Sequence, residues 1–256
     1  MDQYEPPICN LSEARAIFNS VNPTPYQRLT PLEDFENSKR TPGTPKDLNT
    51  ADRIEWYMEI DHHQTWGFVI YRTTYNSDAD WTVFLQHLRS RMESSLTVFN
   101  GLDILDSFTL TVLEDRSLFD GASADTVRRH FQQWSLDAFQ AEQRTAEQLA
   151  PRIGQSPRYR YCIQVDADSL ASIIHDGSAP EVYRRKTAWV KIIDKSWYLG
   201  RSVGTMEELE PIEGLGVNDV GWMKISFENV MTEWYTRLWQ WNFWTSHYQR
   251  PPRVVN

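Results

Sequence analysis

Arg72, Arg160 and Lys191 place positive charge in stretches that otherwise read as β-strands, and Glu114-Asp115-Arg116 sets two carboxylates beside a guanidinium just after another. Side chains at strand ends reach into clefts. There an arginine or lysine can polarise a substrate oxygen, while a carboxylate whose pKa is raised by apolar surroundings moves a proton. Arg72, Glu114 and Arg160 are therefore the candidate catalytic residues. Strand parity extends the set: Arg72 and Thr74, Thr109 and Thr111, Arg160 and Gln164, and Lys191 occupy positions that can share one sheet face. Covered by aromatic segments, that face becomes an apolar-walled pocket with a few convergent polar groups. Left uncovered, it is a solvated surface whose ion pairs matter little. Tyr71, Tyr75, Tyr161, Gln164, Trp189 and Lys191 are the candidate substrate-binding residues. The tyrosines are potential donors to a ligand oxygen, although buried tyrosines more often serve a structural partner.

Other chemistries leave no mark. Asp61-His62-His63, with Glu59 nearby, is the one dense group of metal-ligand types, but adjacent histidines point to opposite sides of a strand and no HxxxH, HxH or CxxC spacing supports them. There is no GxSxG, no Walker loop and no GxGxxG, and Gly214-Leu215-Gly216 lacks both a third glycine and a preceding strand. The expectation is chemistry with no metal and no cofactor.

A formal net charge of -9 opposes nucleic acid and anionic membranes, and Arg184-Arg185-Lys186, the densest basic run, reads as a solvated loop. The first residues lack the basic and apolar regions of a leader, and no segment is long enough to span a bilayer. With Cys9 and Cys162 far apart, this predicts a reduced, cytoplasmic protein without disulfides. Eleven tryptophans are more than packing usually needs, which points to a pocket or an interface.

The elements that must position these residues follow from periodicity. Prolines at 6, 7, 23, 25, 31, 42 and 45 make residues 1–50 a Pro-rich arm, leaving 51–256 as a single α+β domain. Residues 51–59 fit a helix or a strand. The run Trp66 to Tyr75 is the founding strand, and a helix over 79–96 follows on the face set by Trp81, Phe84, Leu85, Leu88, Met92 and Leu96. A strand over 108–113, a helix over 124–148, a strand over 158–165, a short helix capped by Asp166 and a strand over 188–194 come next. An edge strand near 221–225 and an aromatic C-terminal helix from Val230 complete the order. The pattern predicts a ferredoxin-like, βαββαβ-related sheet with helices on one face, departing from that plan at the helix over 167–174.

Trp66 to Tyr75, Leu113-Glu114-Asp115, Arg158-Tyr159-Arg160-Tyr161-Cys162, Gly221-Trp222-Met223-Lys224 and Tyr248-Gln249-Arg250-Pro251-Pro252 resemble a large group of hypothetical proteins from filamentous fungi with no assigned function. The resemblance covers about residues 60–252. It implies a fungal, pathway-specific protein and carries over no residue roles.

Two functions are expected. The first is a cofactor-independent enzyme of fungal secondary metabolism, a cyclase, isomerase or lyase acting on an apolar oxygenated small molecule. The alternative is a non-catalytic interaction or small-molecule-binding module, in one version a homodimer, docking through an exposed patch of Trp234, Trp239, Trp241 and Trp244.

Overall fold

The computed structural model describes residues 48–143, 156–178, 187–202 and 209–256. Residues 1–47 of the Pro-rich arm with Cys9, the expected continuation of a helix to 148, and Arg184-Arg185-Lys186 lie outside the described residues, while Leu48, Asn49 and Thr50, given to the arm, belong to the start of the first helix.

Asn49 and Asp52 form a reciprocal capping box that starts α1 (Thr50–Asp61), so the undecided segment is a helix. The founding run supplies β1 (Val69–Arg72), and Ser77 caps α2 (Asp78–Val98). After β2 (Thr111–Leu113), Asp115 caps the short α3 (Arg116–Phe119) and Ser123 caps α4 (Ala124–Glu142). Next come α5 (Pro157–Arg160), β3 (Tyr161–Val165), α6 (Ala167–Ser178), β4 (Trp189–Asp194) and β5 (Trp222–Ser226). A π-helical turn (Val230–Trp234) leads into α7 (Tyr235–Trp239), α8 (Phe243–His247) and β6 (Val254–Val255).

The strands form one mixed sheet in the order β2-β1-β3-β4-β5-β6. β1 is parallel to both β2 and β3, β4 is antiparallel to both its neighbours, and β6 is parallel to β5. The mixed α+β class is as expected; the ferredoxin-like arrangement is not confirmed. The β1-α2-β2 connection steps to one side of β1, and the β2-α4-β3 connection steps back past it to the other. Two crossovers of one hand moving in opposite directions put their helices on opposite faces. The core divides accordingly. Ile70 and Ile163 pack with Trp81, Phe84 and Leu88 of α2, whereas Val69, Tyr71 and Cys162 pack with Val127 and Phe131 of α4. With cover on both faces, every residue of β1 is buried.

Three further expectations change. Pro157 follows Ser156 at the first position of a helical turn, which its fixed φ favours, so 157–160 is helix and β3 begins only at Tyr161. β5 is not an edge, because β6 pairs with it. Trp234, Trp239 and Trp244 are buried in the core, and of the four proposed docking tryptophans only Trp241, 77% exposed, faces solvent.

At the amino ends of the parallel strands lies a fully buried arginine. Arg158 Nε and Nη2 donate to the two carboxylate oxygens of Glu142 at 2.7 and 2.5 Å. Its Nη1 donates to Gly67 O at 2.9 Å and Thr109 O at 3.2 Å, and Nη2 also reaches Thr111 Oγ1 at 2.8 Å. Tyr159 O–H donates to Glu142 Oε2 at 2.7 Å. Gly67 has φ +113°, and a Cβ there would lie 2.7 Å from the Phe108 ring and 2.9 Å from Thr109 O, so glycine is required for the strands to close on the arginine.

Burial alone would raise the Glu142 pKa, but Arg158 and the Tyr159 hydroxyl hold it below the ordinary value of 4.5. A depressed folded-state pKa gives stability that is present above the ordinary value and lost as pH falls through the folded one. Glu142→Gln is therefore expected to lower unfolding stability by roughly 3 kcal/mol at neutral pH, since it strands a buried guanidinium. Urea denaturation of parent and variant across a pH series should show the gap narrowing below the carboxylate range. A gap independent of pH would mean that the ion pair is not its source.

Candidate functional site

At the opposite, carboxyl ends of β1 and β3 the loops part around a cavity of about 440 Å³. Its floor is Thr73, following β1, and Gln164 of β3. One wall is Thr74 and Asn76 with the Asp120-Gly121-Ala122-Ser123 turn that leads into α4. The other is Asp166, Ala167 and Asp168 at the start of α6, with Lys191 from β4 and Glu213 from the 209–217 loop. No aromatic side chain lines it, so the expected aromatic cover is not what forms the pocket.

The floor is built by sheet register. Gln164 stands between Tyr71 and Lys191 in the ladders, so the three side chains share the α4 face. Gln164 is 1% exposed, and its Nε2 donates to Ala122 O at 2.8 Å and Thr73 Oγ1 at 3.2 Å. Its Oε1 is buried with no hydrogen-bond partner among the described residues. Gly121 N donates to Thr73 O at 3.1 Å, fastening the turn onto the end of β1.

Lys191 organises the wall. Its Nζ lies 2.9 Å from Asp166 Oδ2, 3.4 Å from Glu213 Oε1 and 4.4 Å above the Trp222 ring. Asp166 Oδ1 accepts from Ser169 N and Ser169 Oγ accepts from Asp166 N, each at 2.9 Å, a reciprocal cap on α6. Burial would raise the Asp166 pKa; Lys191 and Ser169 outweigh it and hold the carboxyl below its ordinary value. Glu213 Oε2 accepts from Ala124 N at 3.0 Å, at the start of α4. Glu213 reaches that position from a two-residue turn, with φ +48° followed by +82° at Gly214, closed by paired Ile212 and Leu215 backbone bonds. Arg250 holds the base of this loop through Val217 O at 3.0 Å and Glu210 O at 2.7 Å.

Of the candidate residues, the structure brings Gln164 and Lys191 together in the cleft. Arg72 and Glu114 do meet, at 3.2 Å, but on the α2 side of the sheet, across from Gln164. Arg72 is buried, ion-paired with Asp78 as well, and donates through Nε to Thr74 O at 3.0 Å. Burial would lower its pKa, but the two carboxylates raise it, so the guanidinium is a fixed charge organising the β1-α2 turn. Tyr75 lies under that guanidinium at 4.4 Å, its hydroxyl buried and with no hydrogen-bond partner among the described residues. Arg160 ends α5 at the other end of the sheet, 5.2 Å over the Tyr161 ring. Because 157–160 is helical, the alternation that placed Arg160 beside Gln164 does not hold. Tyr161 is buried and stacked on Trp244, and burial raises its pKa to about 12. Tyr71 bonds His130 Nδ1 at 2.9 Å, and Trp189 packs beneath Lys224 Nζ at 3.6 Å. Arg72, Glu114 and Arg160 thus do not converge on one cavity.

Asp166, Glu213, Thr73 and the 120–123 turn were missed. The available signal was the strand-helix-strand-helix-strand order itself, which predicts parallel strands whose carboxyl-end loops form a crevice. Among the described residues no group of three or more His, Cys, Asp or Glu is placed to hold a metal ion, Asp61-His62-His63 included, and no helix is long and apolar enough to cross a membrane.

Chemically, the cleft offers an ammonium between two carboxylates and several hydroxyls. Lys191→Met would leave the half-buried Asp166 without its nearest cation and should cost about 1 kcal/mol at neutral pH. Since the Asp166 pKa is depressed, the cost should shrink in acid as that carboxyl protonates. Denaturation curves at neutral pH that superimpose on the parent's would show that Lys191 does not bear on this wall. Comparison with protein-family models, curated proteins and solved structures found no match to the chain.

Proposed function

We propose that this protein binds a small polar molecule in the cleft at the carboxyl ends of β1 and β3. The observation that carries the reading is the place of the cavity. It lies where the first crossover leaves β1 in one direction and the second returns past it in the other. Loops diverge at such a reversal and leave a crevice that α/β sheets use for ligands. The volume falls within the range of small-molecule pockets, and a few polar groups converge on it as such pockets require.

Catalysis by a cyclase, isomerase or lyase of fungal secondary metabolism, in the cytoplasm and without a cofactor, belongs to the same proposal with its acid-base groups reassigned. Lys191 and Asp166 adjoin the cavity as a proton donor and acceptor 2.9 Å apart, whereas Glu114 is held by Arg72 across the sheet. Docking through the tryptophan tail has less support, because three of the four rings are inside.

Ligand-observed NMR of the purified protein against a fragment library tests the site. Fragments bound by the parent should lose at least about tenfold in affinity in Asn76→Trp, which fills the mouth, and in Gln164→Leu, which removes the floor's polar group. Circular dichroism would confirm that each variant is folded. Fragments that bind both variants as well as the parent would place the binding elsewhere and end this reading.

A further inference from the structure

Of the 209–217 loop only Glu213 lines the cleft, so one side of the cavity is closed by a single side chain. Its carboxylate spans two elements that carry the other walls. Oε2 accepts from Ala124 N at the start of α4 at 3.0 Å, and Oε1 lies 3.4 Å from Lys191 Nζ on β4. Those two contacts are all that tie its end among the described residues.

The mount is far better held than the bar. Arg250 Nε donates to Val217 O at 3.0 Å, and its Nη2 donates to Glu210 O at 2.7 Å and to Leu215 O at 3.2 Å, so one guanidinium clamps the loop on both sides of the turn. Ile212 and Leu215 close the turn through paired backbone bonds and, with Val217, rest on the core beside α4. The carboxylate, by contrast, can leave without stranding a partner. Lys191 keeps Asp166, its nearer partner at 2.9 Å, and the face of Trp222. Ala124 is the first residue of α4, and its N–H is one of those that a helix leaves to water or a side chain. The Glu213 side chain is already 31% exposed, and a Cβ on the adjoining Gly214 would meet nothing within 4 Å. A partly exposed ion pair and a hydrogen bond at a helix start are each weak, and an exposed side chain changes rotamer quickly once they break.

Resting on the small-molecule reading above, we infer that Glu213 is a side-chain gate on the cleft. Closed, its carboxylate bars the gap between the start of α4 and Lys191. Open, it turns to solvent on a backbone that stays in place, and the gap admits bulkier molecules. The ammonium shared with Asp166 holds the gate shut by charge.

Thiol labelling of Ala122→Cys in a Cys9→Ser background, with iodoacetamide and with a bulky maleimide, tests this. Ala122 is half-buried in the cleft wall two residues before Ala124, and Cys162 is buried. Glu213→Gln keeps the bulk of the bar and removes its charge, so it should speed labelling by the maleimide at least about fivefold, with a smaller change for iodoacetamide. Added salt should speed maleimide labelling where Glu213 is present and do nothing further in Glu213→Gln. A fixed wall gives equal maleimide rates in both proteins at every salt concentration, and that result overturns the gate. Equal acceleration of both reagents overturns it too, since it means general loosening instead of a gap of limited size. Should circular dichroism show that Ala122→Cys does not fold, amide exchange at Ala124 in the unsubstituted chain decides. It should quicken with salt while Ile70 and Ile163 keep their rates, and a rate indifferent to salt overturns the gate. Neither measurement uses a ligand, so the fragment experiment with Asn76→Trp judges the cleft separately.

Discussion

The constraint on which the rest depends is that Arg158 must be surrounded by acceptors. A guanidinium with no exposure is tolerated only where its donors are met, and here they are met by the Glu142 carboxylate, Gly67 O, Thr109 O and Thr111 Oγ1. Those partners sit just before β1, at the start of β2 and at the end of α4. One side chain thereby brings the amino ends of three parallel strands to a common level and fixes the helix that crosses behind them.

With the amino ends aligned, the carboxyl ends finish together, and the cleft follows. Thr73 and Gln164 meet across adjacent strands because β1 and β3 are in register from Val69↔Cys162 to Arg72↔Val165. Lys191 joins them from an antiparallel strand because Gln164 and Lys191 are ladder partners. The loops then add carboxylates from three directions, and Lys191 is the hub that keeps Asp166 and Glu213 from repelling one another. The cleft is therefore a product of register first and of charge pairing second.

Much of this was legible in the residues and some was not. α2 and α4 were readable because Trp81, Phe84, Leu88 and Met92, or Val127 and Phe131, repeat at helical spacing behind a Ser cap. Gln164 and Lys191 do share a face, but what puts them there is the β3-β4 register, in which they are ladder partners. Parity does not say how neighbouring strands are aligned, so Arg72 was set beside them although it faces the other way. Arg160 failed for a local reason, the helical turn begun at Ser156-Pro157. The strand order was hidden as well: alternating strands and helices fit either a one-faced or a two-faced sheet until pairing is known. Glu213 left no trace, since its partners Lys191 and Ala124 are 22 and 89 positions away and its own turn contains the unusual pair Glu-Gly rather than Asn-Gly.

One helix belongs to both ends of the molecule. α4 starts at Ser123 in the cavity wall and finishes at Glu142 in the arginine cluster, a span of about 28 Å at 1.5 Å per residue. It behaves as a strut: whatever seats itself at its first turn presses on the same rigid body that its last turn anchors. Loosening the far anchor would change the cavity's shape without any atom of the cavity being replaced, so remote substitutions in this protein can masquerade as changes in recognition.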